Sequence, residues 1–112
     1  MVERNPIQGD IIKINLDPKK GHGQTGYQPY ICLSNKKISD YAGIAIFAPI
    51  SNTRRKYPLY VPLKKTKTTG SVLLDQLMTI DFHARHFRFV EANPSALLHQ
   101  LLSITAMIFE PN

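Results

Sequence analysis

Asp10-Ile11-Ile12-Lys13-Ile14-Asn15-Leu16 sends Ile12, Ile14 and Leu16 to one side and Lys13 and Asn15 to the other, the period of two that marks a half-buried strand. Asp17-Pro18 ends it, because proline brings no donor to a ladder, and a glycine-rich loop over residues 19–29 follows. Residues 30–34 and 42–50 read as two further strands without helical periodicity, joined by a polar turn through Asn35-Lys36-Lys37-Ile38-Ser39-Asp40. Pro58 and Pro62 flank Leu59-Tyr60-Val61 and restrict that short strand to an edge, where missing N–H groups do no harm.

After Gly70, the apolar run Ser71-Val72-Leu73-Leu74-Asp75-Gln76-Leu77-Met78-Thr79-Ile80 reads as one strand, and residues 88–92 as another. Asn93-Pro94 announces a helix: asparagine caps free N–H groups, and proline at the first helical position gives up a donor that had no partner. Leu97, Leu101, Ile104 and Ile108 then form its buried stripe, widened by Leu98, Leu102 and Phe109, and Pro111 closes it. Short strands before one terminal helix, with no βαβ rhythm, predict a mainly β fold: a curved antiparallel sheet or partly open β-barrel with a C-terminal α-helix.

The chain has 112 residues, 43% of them apolar, enough for a single domain spanning residues 1–112. Its net charge of +6 favours a polyanionic partner, nucleic acid or an acidic protein. No apolar run approaches the ~20 residues that cross a bilayer, and the start Met1-Val2-Glu3-Arg4-Asn5-Pro6 is unlike a signal peptide. Cys32 is the single cysteine, which excludes an internal disulfide and a thiolate zinc cluster; its apolar neighbours make it a small buried hydrophobe, and a reducing cytoplasm is its expected home.

Gly21-His22-Gly23-Gln24-Thr25-Gly26 matches G-x-G-x-x-G, yet Tyr27-Gln28-Pro29-Tyr30-Ile31 leads into extended chain where a dinucleotide fingerprint opens a helix, and Tyr27 stands where a P-loop needs lysine. A surface loop is the plainer reading. Between Asp40 and Asp75 no acid occurs, while Arg54, Arg55, Lys56, Lys64, Lys65 and Lys67 interleave with Tyr57 and Tyr60. Cations with aromatic faces suit single-stranded nucleic acid, though a lysine-rich hairpin also guards a sheet edge. Asp81, His83 and His86 offer either a weak H-x-x-H metal site or a turn with exposed basic groups, and His99 reads as a surface or interface residue. With no G-x-S-x-G elbow and only scattered acids, what remains is chemistry that basic and polar groups perform on a phosphodiester.

Gly9-Asp10-Ile11-Ile12, Asp17-Pro18, the run from Gly21 to Pro29 and Ile31-Cys32-Leu33-Ser34 come in a distinctive order, followed by Ala48-Pro49-Ile50-Ser51-Asn52, Tyr57-Pro58 and the run from Gly70 to Asp81. Together they resemble the MazF/PemK family of bacterial toxins. The resemblance implies a curved sheet of the CcdB/MazF type, a homodimer, and a sequence-specific endoribonuclease that cleaves single-stranded RNA (mRNA) with no cofactor or metal. It also implies an acidic, partly disordered antitoxin of the MazE/PemI kind, operator DNA reached only through that antitoxin, and a cytoplasmic protein with no membrane partner. Charge complementarity fits a +6 toxin to such an antitoxin.

Metal-free RNA cleavage uses the ribose 2′-hydroxyl as nucleophile and leaves 2′,3′-cyclic phosphate and 5′-hydroxyl ends, so the protein must accept one proton, donate another and stabilise the phosphorane. In the family a catalytic arginine precedes the proline at the second-strand entry, and a hydroxyl residue lies two positions after the proline closing the third strand. The matching positions are Gln28 and Ser51. Glutamine carries no charge, and an acid common in the family is also absent, Gly23 standing before Gln24. Three outcomes stay open: His22, Arg54, Arg55 or Arg85 takes over, the enzyme is slow, or cleavage is lost and a binding module remains. Substitution is the expectation, with His22 as acid or base. Gln28 and Ser51 would position phosphate, and Lys20, Gln24, Asn52, Thr53, Arg54, Arg55, Lys56, Arg85 and Arg88 would contact RNA.

Overall fold

A computed structural model describes residues 4–16, 26–92 and 95–112. The alternating stretch forms strand β1 (Asp10–Asn15), but it is buried on both faces. Ile12 and Ile14 enter one core cluster, with Tyr30, Cys32, Ala45, Phe47, Ile80 and Phe82, while Ile11 enters a second, with Ile31, Ala48, Ile50, Val72 and Leu101. Only Lys13 and the end of the strand escape, so β1 is an interior strand with apolar layers above and below. At its start the buried Asp10 carboxylate accepts from the Ile7 N–H at 2.9 Å and pairs with Arg4 at 2.6 Å. That hydrogen bond raises the Arg4 guanidinium's pKa.

β1 lies between β2 (Tyr27–Cys32) and β7 (Phe87–Ala92), antiparallel to both. β2 pairs on its other side with β3 (Ile44–Ser51). The free side of β3 is shared: β6 (Met78–Asp81) runs along its first half, and β5 (Ser71–Leu73) joins its last two residues and carries β4 (Tyr60–Pro62). The result is the expected curved, open antiparallel sheet of seven strands. The loop between β4 and β5 hooks back over β7, where the Glu91 carboxylate accepts from the Lys67 N–H (2.9 Å), the Thr68 N–H (2.7 Å) and the Thr68 hydroxyl (2.8 Å).

The run expected as one strand over residues 71–80 is two strands broken by a 3-10 turn, Leu74–Gln76. The Leu74 N–H still follows the β4–β5 register, meeting the Leu59 carbonyl at 2.9 Å, and Leu73 and Leu74 are both buried, while Asp75 and Gln76 are both exposed. A flat strand alternates its faces and cannot bury two neighbours and then expose the next two, and the break lets the chain cross from β5 to β6 along the same side of β3. The polar turn expected at residues 35–40 is helix α1 (Lys36–Ala42): the Asn35 side chain accepts from the Lys37 N–H at 3.0 Å, and Gly43 at φ 69° ends the helix with its N–H on the Ser39 carbonyl. β2 begins at Tyr27, three residues earlier than expected, with Pro29 inside it. Its pairing to β3 stops at Tyr30, so no ladder donor is required of Pro29 on that side.

Helix α2 (Ser95–Ile108) lays Leu97 and Leu101, with Leu98, Leu102 and Ile104, on the second cluster. The Asn93-Pro94 start signal falls outside the described residues. Ile108 and Phe109, expected on the buried stripe, are 38% and 71% exposed. The end of the helix stands off from its neighbours: Phe109 lines a cavity of about 530 Å³ with Leu33, Ile46 and Met78, and Ile108 lines another groove with Pro58 and Leu59. His99 is exposed, in keeping with a surface residue.

Candidate functional site

β2 and β3 decide where Gln28 and Ser51 lie. Tyr30 faces Pro49 and Ile31 faces Ala48. Continued two residues past Tyr30, that register sets Gln28 level with Ser51 on neighbouring strands and on one face, the face that carries Tyr30 and Phe47 further along. Both residues are exposed, beyond the point where the apolar cluster on that face ends. Ser51 pairs on its other side with Ser71, and its backbone is held close by Gly70 at φ 117°: a Cβ there would lie 2.7 Å from the Ser51 carbonyl oxygen. The serine hydroxyl is therefore presented from a backbone held on its β5 side by Ser71 and Gly70.

Past Ser51 the chain leaves the sheet as an exposed run, Asn52, Thr53, Arg54, Arg55 and Lys56. The Thr53 hydroxyl accepts from the Arg55 N–H at 3.2 Å and shapes the turn. The Arg55 guanidinium sits 4.9 Å from the Tyr57 ring and 5.7 Å from the Tyr60 ring, and the two rings meet edge to face at 5.0 Å. Gln76, on the 3-10 turn, donates to the Tyr60 hydroxyl at 3.4 Å. Sequence reasoning identified the arginine and both tyrosines but missed Gln76, which reaches them only because the expected strand is broken there.

The remaining candidates lie elsewhere. Arg85 donates to the Leu16 carbonyl at 3.4 Å, lining a cavity of about 450 Å³ with Leu16, Met78, Thr79, Ile80, Asp81 and Ala84. Arg88 lies opposite Lys13, which lies opposite Pro29, so it occupies the sheet face opposite that of Gln28. Its guanidinium stacks 5.3 Å above the Tyr27 ring. Lys20, His22 and Gln24 fall outside the described residues. Asp81 spends a carboxylate oxygen on the turn that follows, accepting from the His83 and Ala84 N–H groups at 3.1 and 3.2 Å. His83 and His86 are exposed, and among the described residues no three His, Cys, Asp or Glu side chains gather as a metal site. Cys32 is fully buried as expected, and burial pushes its thiol up to about 11, which keeps it protonated and unreactive. No helix among the described residues is long and apolar enough to cross a membrane.

A family described as PemK-like, MazF-like toxin of type II toxin-antitoxin system matches residues 7–109. The chain is similar to the endoribonuclease toxin MazF of Escherichia coli (strain K12), with 32% identity over 80 residues that cover 71% of this chain and 72% of that protein. It is also similar to the endoribonuclease toxin ChpB of the same strain, at 34% identity over 92 residues, 76% of this chain and 78% of that one. Among solved structures, a MazE-MazF crystal form from Deinococcus radiodurans superposes with a TM-score of 0.82 at 19% identity, covering 98% of this chain and 100% of that chain, which is a likeness of fold.

Proposed function

This chain belongs to the PemK-like, MazF-like family of type II toxin–antitoxin toxins, and from that membership we propose that it is a toxin endoribonuclease cutting single-stranded mRNA at a specific sequence. The observation that supports this reading is the β2–β3 register, which, continued two residues past its last pair at Tyr30 and Pro49, sets Gln28 level with Ser51, with a cationic and aromatic segment running on from Ser51. The same reading has it act without metal, arrest translation and growth, form a homodimer in the bacterial cytoplasm, and be neutralised by an acidic antitoxin that alone contacts operator DNA.

In the proposed reaction the substrate's 2′-oxygen attacks phosphorus, its proton passing to a base, while the bond to the 5′-oxygen breaks and that oxygen receives a proton. The Gln28 amide and the Ser51 hydroxyl donate to the non-bridging phosphate oxygens, whose negative charge grows in the phosphorane. Neither group shuttles protons at neutral pH, so His22 is proposed as acid or base. Arg54, Arg55, Lys56 and Arg85, with Lys20, Gln24, Asn52 and Thr53, hold flanking phosphates and bases, the tyrosine-backed Arg55 being best fixed in position.

Purified protein incubated with long RNA in EDTA should yield defined fragments with 2′,3′-cyclic phosphate ends, and His22→Ala should slow their single-turnover formation. Intact RNA would instead favour the second reading, a non-catalytic toxin or RNA-binding module of the same fold, which the neutral Gln28 at the family's arginine position supports. A gel shift of RNA, or binding to gyrase, without cleavage would identify it.

A further inference from the structure

Lys13 and Arg88 stand directly opposite one another in the β1–β7 register, and both are exposed. Like charges so placed repel and weaken a strand pair. Among the described residues neither has a carboxylate within ion-pair distance, the ion pairs there being Arg4–Asp10 and Lys36–Asp40. Glu91, three residues beyond Arg88, has its carboxylate occupied by three hydrogen bonds from Lys67 and Thr68. Those bonds fasten the β4–β5 loop, with exposed Lys64, Lys65 and Lys67, onto β7 beside the pair.

The Arg88 guanidinium reaches across β1 to the Tyr27 ring on β2. Five cations thus form a strip from the β4–β5 loop over β7 and β1 to the start of β2. Lys13, Arg88 and Tyr27 put its inner part on the face opposite Gln28 and Ser51. Tyr27 and Gln28 are consecutive, so the strip meets the Gln28 face around the end of β2.

We infer that this strip is an exosite for the phosphate backbone of single-stranded RNA flanking the bond to be cleaved, an inference that rests on the endoribonuclease reading above. Five cations against the carboxylate of Glu91, itself held by Lys67 and Thr68, match a chain of phosphates, and sheet repulsion is relieved when phosphates bind between Lys13 and Arg88. An acidic peptide needs apolar pockets for its anchoring side chains. The two apolar grooves flanking α2 contain none of the five cations, so RNA is the better match.

The test uses the full chain and uncleavable 2′-O-methyl RNAs of about 6 and about 16 nucleotides, read by fluorescence anisotropy across a salt series. The longer RNA should bind more tightly. In Lys13→Gln/Lys67→Gln that length advantage should fall about tenfold, and the salt slope for the longer RNA should shrink by about 1.4, at about 0.7 for each phosphate no longer neutralised. An unchanged length advantage, equal losses for both RNAs, or no RNA binding by the unaltered protein overturns the exosite. So does loss of poly-glutamate binding with RNA affinity intact, which assigns the strip to an acidic protein. Because these RNAs cannot be cut, the result is independent of the search for cyclic-phosphate ends that tests the enzymatic reading.

Discussion

Replacing Gly70 with alanine should both destabilise the fold and disturb Ser51. Gly70 holds φ 117°, a region that costs a side-chain-bearing residue about 1–3 kcal/mol. The added Cβ would lie 2.7 Å from the Ser51 carbonyl oxygen and 2.9 Å from its carbonyl carbon, both backbone atoms that cannot rotate aside. Relieving that overlap costs a further ~1–3 kcal/mol, so the total is about 2–6 kcal/mol. Gly43→Ala is the control: φ is 69°, and the obstacle is the ring of exposed His83 at 2.8 Å, which can turn away, leaving about 1 kcal/mol. Urea unfolding followed by far-UV circular dichroism, apt for a chain with no tryptophan, measures both variants. RNA cleavage under conditions where each is folded then reads the site, and Gly70→Ala alone should be impaired. Equal destabilisation by the two, or full cleavage by folded Gly70→Ala, would refute the claim that Gly70 grips Ser51.

Restoring a cation at the phosphate-positioning site by Gln28→Arg should raise single-turnover RNA cleavage about 10²-fold, the scale of one oriented donor, and an unchanged rate would detach Gln28 from the reaction. For Glu91, burial alone would raise the carboxyl's pKa, but the bonds from Lys67 and Thr68 and the Lys67 charge outweigh it, and the pKa falls below its ordinary 4.5. That contribution to stability is present above pH 4.5 and is lost as pH falls through the lower folded value. The stability difference between the wild type and Glu91→Gln should therefore narrow on acidification, and a gap constant from about pH 7 to about pH 3 contradicts the latch. Asn35→Ala removes the cap of α1 and should cost about 1 kcal/mol in urea unfolding. Leu101 is fully buried on the inner face of α2, and Leu101→Ala should cost about 2–5 kcal/mol in the same assay.

Sequence alone determined what local chemistry controls. The alternation through Ile12 and Ile14 specified β1, the prolines at 58 and 62 marked β4 as a short edge strand, although it runs over Tyr60–Pro62 with Pro62 inside it, and the stripe through Leu97 and Leu101 specified α2. Each depends on neighbours a few residues apart. It also brought Gln28 and Ser51 forward as a pair, through a resemblance in motif order. Tertiary structure alone set the β2–β3 register that, extended past Tyr30 and Pro49, brings the two level, because register is a relation between strands distant in the chain. It broke the 71–80 run with the 3-10 turn at Leu74–Gln76, and so delivered Gln76 to Tyr60. It set Arg88 on the face opposite Gln28, and it left Ile108 and Phe109 in solvent. Apolarity marks a residue as fit for burial, but whether it is buried depends on how closely the end of the helix approaches the surface opposite it.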